Sequence, residues 1–133
     1  MKWPEHAFDI ARHTLPGLNS SMKAAQLVEI RRPVQINDIP EPEPQENEAV
    51  IQLNAAALNR RDYWITQGMY PGITVPCVLG SDGCGVVAAT GNAVSTDWVG
   101  CEVIINPGIN WGQSDIHQSD EFRILGMPDD GTL

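Results

Sequence analysis

The stretch VPCVLGSDGCGVVAATG, residues 75–91, decides the fold more than any other part of this sequence. It opens with apolar residues, passes through glycines at positions 80, 83 and 85, and continues as an apolar run from Val86 to Thr90. Glycines followed by such a run predict a turn that leads into a β-strand.

Gly83 and Gly85 match only part of the glycine fingerprint of dinucleotide-binding domains. The third glycine is not at the required spacing, and a strand rather than a helix is predicted to follow. A pyrophosphate held at a helix N-terminus is therefore not expected here. The glycines instead favour a close approach between neighbouring backbones, where a side chain would not fit.

Three further segments on either side of this stretch have the composition of short strands. They are MKAAQLVEI (22–30), AVIQLNAAAL (49–58) and CEVII (101–105). Alternation in the second predicts one half-buried face, formed by Ile51, Leu53, Ala55 and Ala57. Between the first two lies IPEPEPQENE (39–48), whose alternating prolines and acids predict an extended, solvated connection.

One short helix is predicted within NRRDYWITQGMYP, residues 59–71. Asn59 is a good N-cap, Asp62 follows three residues later, and Gly68 can end the helix in the left-handed region. The spacing of Asn59 and Asp62 is that of a capping box, in which each side chain satisfies a free backbone N–H. A polar pair in an active site is the alternative, and the local pattern leaves both open.

Ten prolines and twelve glycines spread over 133 residues indicate many turns. With several short strands and one brief helix, they predict a mainly β fold, a partly open barrel. Residues 1–21 are interpreted as an N-terminal extension, and the domain is expected to run from Met22 to Leu133. Because the turn at 128–131 should lead into a new strand, we expect a barrel that is incomplete at its C-terminal end.

Charge and cysteine content narrow the classes of function. The net charge is −9, and the eight basic residues form no cluster, so nucleic acids and anionic membranes are not expected partners. Three cysteines without a CxxC pair, and no secretion signal, favour a reducing cytoplasm. The histidines, His6, His13 and His117, have no ligand neighbours at metal-binding spacing, so no metal site is expected.

Taken in order, these segments resemble the N-terminal, chaperonin-10-like (GroES-like) catalytic domain of the medium-chain dehydrogenase/reductase superfamily. The segments that carry the resemblance, from the opening strand to the strand after the glycine-rich stretch, are MKAAQLVEI, IPEPEP, AALNRRDYWITQGMYP, VPCVLGSDGCGVVAATG and WVGCEVIINP. One departure is Gly100-Cys101, where the family often has Gly-Asp. The resemblance covers residues 22–133 and implies a GroES-like fold.

Within that superfamily the chain is similar to the zinc-free, quinone-oxidoreductase-like branch. Zinc-dependent members have a Cys ligand at the start of the helix passage and a His-Glu pair in the glycine-rich stretch. This chain has Asn59-Arg60-Arg61-Asp62 and Ser81-Asp82 at those places. Those members also have a four-cysteine zinc lobe, whereas residues 106–133 contain no cysteine.

The resemblance implies hydride transfer between a nicotinamide cofactor, NADP or NAD, and a quinone, an enone or a similar carbonyl compound. Asn59 and Asp62 would be the catalytic pair near the nicotinamide, Trp64 and Tyr70 aromatic walls of the cleft, and Asp82 an acid behind them. A Rossmann domain, absent from this sequence, would hold most of the cofactor, so we expect the chain alone to be inactive. The parent would be a homodimer or homotetramer. The alternative is a stand-alone, non-catalytic β-barrel interaction module.

Overall fold

The computed structural model describes residues 20–133 of the chain. They form eight short strands, one α-helix and one 3-10 turn. The strands are β1 Ser21–Leu27, β2 Gln35–Pro40, β3 Ala49–Ala57, β4 Cys77–Val78, β5 Asp82–Thr90, β6 Glu102–Ile104, β7 Gly108–Ile109 and β8 Arg123–Ile124; the helix α1 is Arg60–Thr66, and the 3-10 turn is Thr96–Trp98. In this part of the chain no helix has the length and apolar character needed to cross a membrane.

The strands form three small open sheets. Their orders are β2-β1-β4, β3-β5-β6 and β7-β8, and the pairings within them are antiparallel. Over residues 20–133 the sheets do not close into a barrel. The prediction of a mainly β, partly open fold with little helix is therefore confirmed. The extension predicted for residues 1–21 lies almost entirely outside the described residues, so the boundary at Met22 stays a prediction.

Strand β5 is longer than the sequence predicted. The predicted turn at Gly83 and Gly85 is wrong, because pairing begins at Asp82, and both glycines lie in the central strand of a sheet. A Cβ atom on Gly85 would lie 2.0 Å from the backbone oxygen of Gln52 on β3. The close backbone approach expected from these glycines is confirmed there. It is this approach that lets β3 pair along β5 at full length.

The half-buried face predicted for β3 is also wrong. Leu53 is 40% exposed, Ala55 and Ala57 are exposed as well, and only Ile51 is partly covered. The pairing of β3 with β5 shifts register twice, between Val50 and Ile51 and between Leu53 and Ala55. Each irregularity breaks the alternation of side chains, and β3 is an edge strand with one partner.

The core gathers residues from distant parts of the sequence. Its buried members are Leu27, Ile65, Cys77, Leu79 and Met127, with Tyr70, Ile73 and Leu133 packed against them. Met127 and Leu133 lie on either side of the turn predicted at 128–131. Leu133 is held beside β1, since the Ala25 N–H donates to its carbonyl at 2.8 Å.

Candidate active site

The start of α1 is set by a reciprocal arrangement of two polar residues. Asn59 is the N-cap, with extended backbone, and its N–H donates to Asp62 Oδ2 at 2.7 Å. This forms the capping box that the spacing of the two residues predicted. At the other end Gly68 adopts a φ of 74°, as expected of a residue that ends a helix.

The Asn59 side chain leaves the helix and contacts the first residues of β5. Its Nδ2 donates to Ser81 Oγ at 3.1 Å and to Asp82 Oδ2 at 2.8 Å. The register of the β3–β5 pairing brings Asn59 close to Ser81 and Asp82, because Ala57 at the end of β3 pairs with Asp82 at the start of β5. We call Asn59, Ser81 and Asp82 the polar cluster. Asp82 is exposed, Asn59 is half-buried, and Ser81 is 6% exposed.

Asp62 lies beneath the polar cluster rather than at its surface. It is 2% exposed, and besides the Asn59 contact its Oδ1 accepts from the Gly80 N–H at 3.1 Å. Both carboxylate oxygens are thus occupied by backbone donors. A buried carboxylate bonded in this way joins the start of α1 to the backbone just before Ser81.

The two aromatic residues predicted as cleft walls lie in different surroundings. Trp64 is 38% exposed and packs edge-on against Tyr63, with ring centroids 5.2 Å apart. Tyr70 is half-buried, packs against the core and lies under the guanidinium of Arg61, 4.9 Å from the ring centroid. The structure therefore brings Asn59, Asp62 and Asp82 together, whereas the contacts of Trp64 and Tyr70 lie elsewhere.

Sequence reasoning assigned no role in the site to Arg61 or Ser81. The guanidinium of Arg61 donates to the carbonyl oxygens of Leu125 at 2.9 Å and Met127 at 2.8 Å. Its neighbour Arg60 is exposed, and nothing in the local sequence distinguishes the two arginines. Ser81 carried one signal, its place before Asp82 in the glycine-rich stretch.

The donor set of the polar cluster does not fit a catalytic zinc ion. Such an ion takes three side-chain ligands from Cys, His and carboxylates. The cluster offers one carboxylate, a hydroxyl and an amide whose N–H groups point at the other two members. No group of three or more His, Cys, Asp or Glu residues within positions 20–133 is arranged to hold a metal ion.

The glycine-rich stretch does not form a cradle for the phosphates of a dinucleotide. The glycine-rich stretch continues as strand β5. No helix N-terminus therefore follows those glycines to face a pyrophosphate.

Comparison with known proteins identifies the family. The alcohol dehydrogenase GroES-like domain matches residues 45–133. The chain is 39% identical over 92 residues to the zinc-type alcohol dehydrogenase-like protein YogA of Leptosphaeria maculans, a match that covers 67% of this chain and 26% of that protein. It is 31% identical over 87 residues to the quinone oxidoreductase of Salmonella typhimurium, covering 65% of this chain and 27% of that protein.

A solved structure agrees with these matches. The crystal structure of an NAD-dependent alcohol dehydrogenase superimposes with a TM-score of 0.72 at 35% identity, covering 84% of this chain and 35% of the other. The two curated relatives named above are matched over about a quarter of their length. It belongs to the medium-chain dehydrogenase/reductase superfamily and contains that family's GroES-like N-terminal domain.

Proposed function

We propose that this chain is the substrate-side part of an NAD(P)H-dependent oxidoreductase that reduces a conjugated carbonyl compound, a quinone or an enone, without zinc. The observation that supports the proposal is the polar cluster. In zinc-dependent members the helix start and the glycine-rich stretch supply metal ligands, whereas here Asn59, Ser81 and Asp82 hydrogen-bond to one another. The similarity to a quinone oxidoreductase supports the choice of a quinone as acceptor.

The chain's own residues would bind and orient the acceptor. The nicotinamide, when bound, supplies or accepts the hydride. Asn59 and Asp82 would face the acceptor, and Asp62 would hold Asn59 and the backbone before Ser81 in place through its two hydrogen bonds. The exposed part of Trp64 would contact the apolar body of the acceptor, and Tyr70 would support α1 from the core side.

We further propose that NADP or NAD is held mainly by residues outside this sequence. Two observations support this: the glycine-rich stretch is a strand, and the chain spans only about a quarter of its curated relatives. The whole protein would act in the cytoplasm on a small molecule, as a homodimer or homotetramer. The chain by itself would not turn over substrate.

The experiment expresses the complete open reading frame that contains this sequence. Oxidation of NADPH and of NADH is followed with 1,4-naphthoquinone and with 2-cyclohexenone, and metal content is measured on the same protein. We expect turnover with at least one pair of reactants and less than stoichiometric zinc. Zinc at one equivalent, lost with activity on chelation, would contradict the zinc-free assignment. Absence of turnover with every pair would favour the alternative of a non-catalytic interaction module.

A further inference from the structure

The hydrogen bonds of Asn59 use every donor of its side chain. A carboxamide nitrogen has two hydrogens, and here one points to Ser81 Oγ and the other to Asp82 Oδ2. Because an ionised carboxylate can only accept, the amide must present its nitrogen, not its oxygen, to Asp82. Asn59 therefore has no side-chain N–H left to donate to a bound substrate.

The Ser81 hydroxyl is in the opposite situation. Its oxygen accepts the hydrogen bond from Asn59, and no acceptor within residues 20–133 takes its proton. A hydroxyl has one proton to donate and two lone pairs to accept with. Ser81 is only 6% exposed, so this donor is almost entirely shielded from solvent. A shielded donor without a partner is available to a ligand that brings an acceptor oxygen.

The backbone on both sides of Ser81 is held in place. Before it, Gly80 donates to Asp62 Oδ1 at 3.1 Å and accepts from the Thr132 N–H at 3.2 Å. After it, the Asp82 carbonyl accepts from Thr132 Oγ1 at 2.8 Å. The backbone that carries the Ser81 hydroxyl is thus held in place before a ligand binds. A donor fixed in advance is the kind that stabilises charge developing during a reaction.

Resting on the proposed function, we infer that Ser81 is a catalytic residue whose hydroxyl donates a hydrogen bond to the carbonyl oxygen of the acceptor. When the acceptor takes up a hydride at carbon, the π electrons of its conjugated carbonyl move to oxygen, which becomes negatively charged. The hydrogen bond from Ser81 stabilises that charge while the proton stays on Oγ, and water then protonates the oxygen. Asn59 is a positioning residue, because its N–H occupies one lone pair of Ser81 Oγ, so that the hydroxyl proton of Ser81 points away from Asn59.

The inference is tested by Ser81→Ala in the complete open reading frame. The assays use NADPH or NADH as reductant and 1,4-naphthoquinone or 2-cyclohexenone as acceptor. We expect kcat to fall by about a hundredfold or more, the lower limit for losing one such donor, with KM changed by less than about twofold. Ser21→Ala is the matched control, since Ser21 is exposed at the start of β1. Its kcat is expected to equal that of the wild type.

The role of Asn59 is tested by a double-mutant cycle. If Asn59 acts only through Ser81, Asn59→Ala combined with Ser81→Ala should lose no more kcat than Ser81→Ala alone. Additive losses would instead give Asn59 an independent role and contradict its assignment as a positioning residue.

Two further variants keep the inference testable if Ser81→Ala does not fold. Ser81→Thr retains a hydroxyl donor and Ser81→Cys has a weak one, so kcat should be higher for Thr than for Cys. A wild-type kcat in Ser81→Ala, or equal kcat in the Thr and Cys variants, overturns the inference and leaves the proposed function standing. A wild-type protein inactive with every pair of reactants overturns both.

Discussion

Gly85 lies where two neighbouring strands leave no room for a side chain. It occupies the central strand β5, and an added Cβ atom would approach the Gln52 carbonyl oxygen on β3 to 2.0 Å. The obstacle is backbone rather than the end of a flexible side chain. Relief would require β3 to move away from β5, and the hydrogen bonds between the two strands would lengthen.

Gly85→Ala is therefore expected to lower the free energy of unfolding by about 3 kcal/mol or more, at the upper end for overpacking. Urea unfolding followed by circular dichroism measures the change. Gly72→Ala is the control: Gly72 has a φ of 68° but nothing within 4 Å of an added Cβ. Its cost should be about 1–2 kcal/mol, from backbone strain alone. Equal losses in both variants would show that the strand contact is not the cause.

Cys77 is a thiol whose chemistry is altered by the core. It is 2% exposed, and burial, followed by the nearby Asp130 charge, raises the pKa of its thiol, while Arg61 acts in the opposite direction. The protonated form is favoured in the folded chain. Since the unfolded chain releases this proton at lower pH, stability should fall as pH rises above the ordinary thiol pKa.

Two measurements check this expectation. Iodoacetamide at pH 8, analysed by mass spectrometry, should label Cys77 far more slowly in the native chain than in urea. The decline of stability at alkaline pH should be shallower in Cys77→Ala, after allowance for its lower overall stability. Rapid native labelling of Cys77 together with an unchanged alkaline decline would contradict the assignment.

At the scale of elements, α1 is held by two residues that face different partners. Asp62 connects its start to Gly80, and Arg61 connects it to the turn between Ile124 and Met127. A helix of seven residues has little stability of its own, so these contacts and the buried Ile65 determine where it lies. The position of Asn59 at its N-cap follows from them.

Arg61→Met should cost about 2–3 kcal/mol, because the carbonyl groups of Leu125 and Met127 lose charged donors. Arg60→Met is the matched control, since its exposed side chain should contribute less than about 0.5 kcal/mol. Chemical denaturation of both variants provides the comparison. Similar stabilities would mean that Arg61 does not connect the helix to the turn.

At the scale of the whole molecule, exposed apolar side chains accompany an open architecture. Leu58 is 78% exposed just after β3, and Ile104 is 87% exposed at the end of the edge strand β6. Both β3 and β6 have a single partner strand, β5. The 133-residue chain therefore presents apolar surface although its net charge is −9.

The purified 133-residue chain should neither oxidise NADPH in the presence of 1,4-naphthoquinone nor enhance nicotinamide fluorescence saturably, because its glycine-rich stretch continues as strand β5 and offers no helix N-terminus to the dinucleotide phosphates. Equimolar zinc should leave its melting temperature unchanged, since a ligand that does not bind the native state does not stabilise it. Saturable NADPH binding with turnover would overturn the first expectation. A rise in melting temperature at one equivalent of zinc would overturn the second.

Local features were the ones that could be predicted from the sequence. The capping box of Asn59 and Asp62, the end of α1 near Gly68 and the strand character of residues 49–57 each depend on neighbours a few positions away. The buried face of β3 was mispredicted because register shifts interrupt its alternation. Such irregularities arise from pairing with β5 and have no local sequence signal.

The family, the mainly β composition and the absence of Cys and His at Asn59–Asp62 and Ser81-Asp82 could all be read from the sequence. What those residues contact depends on the tertiary structure. Asn59 meets Ser81 across 22 positions of sequence, and Arg61 meets Leu125 across 64. Contacts at such separations depend on strand register and core packing, which are collective properties of the folded chain. For that reason the hydroxyl of Ser81, to which the sequence assigned no role, is distinguished as a donor only in the folded structure.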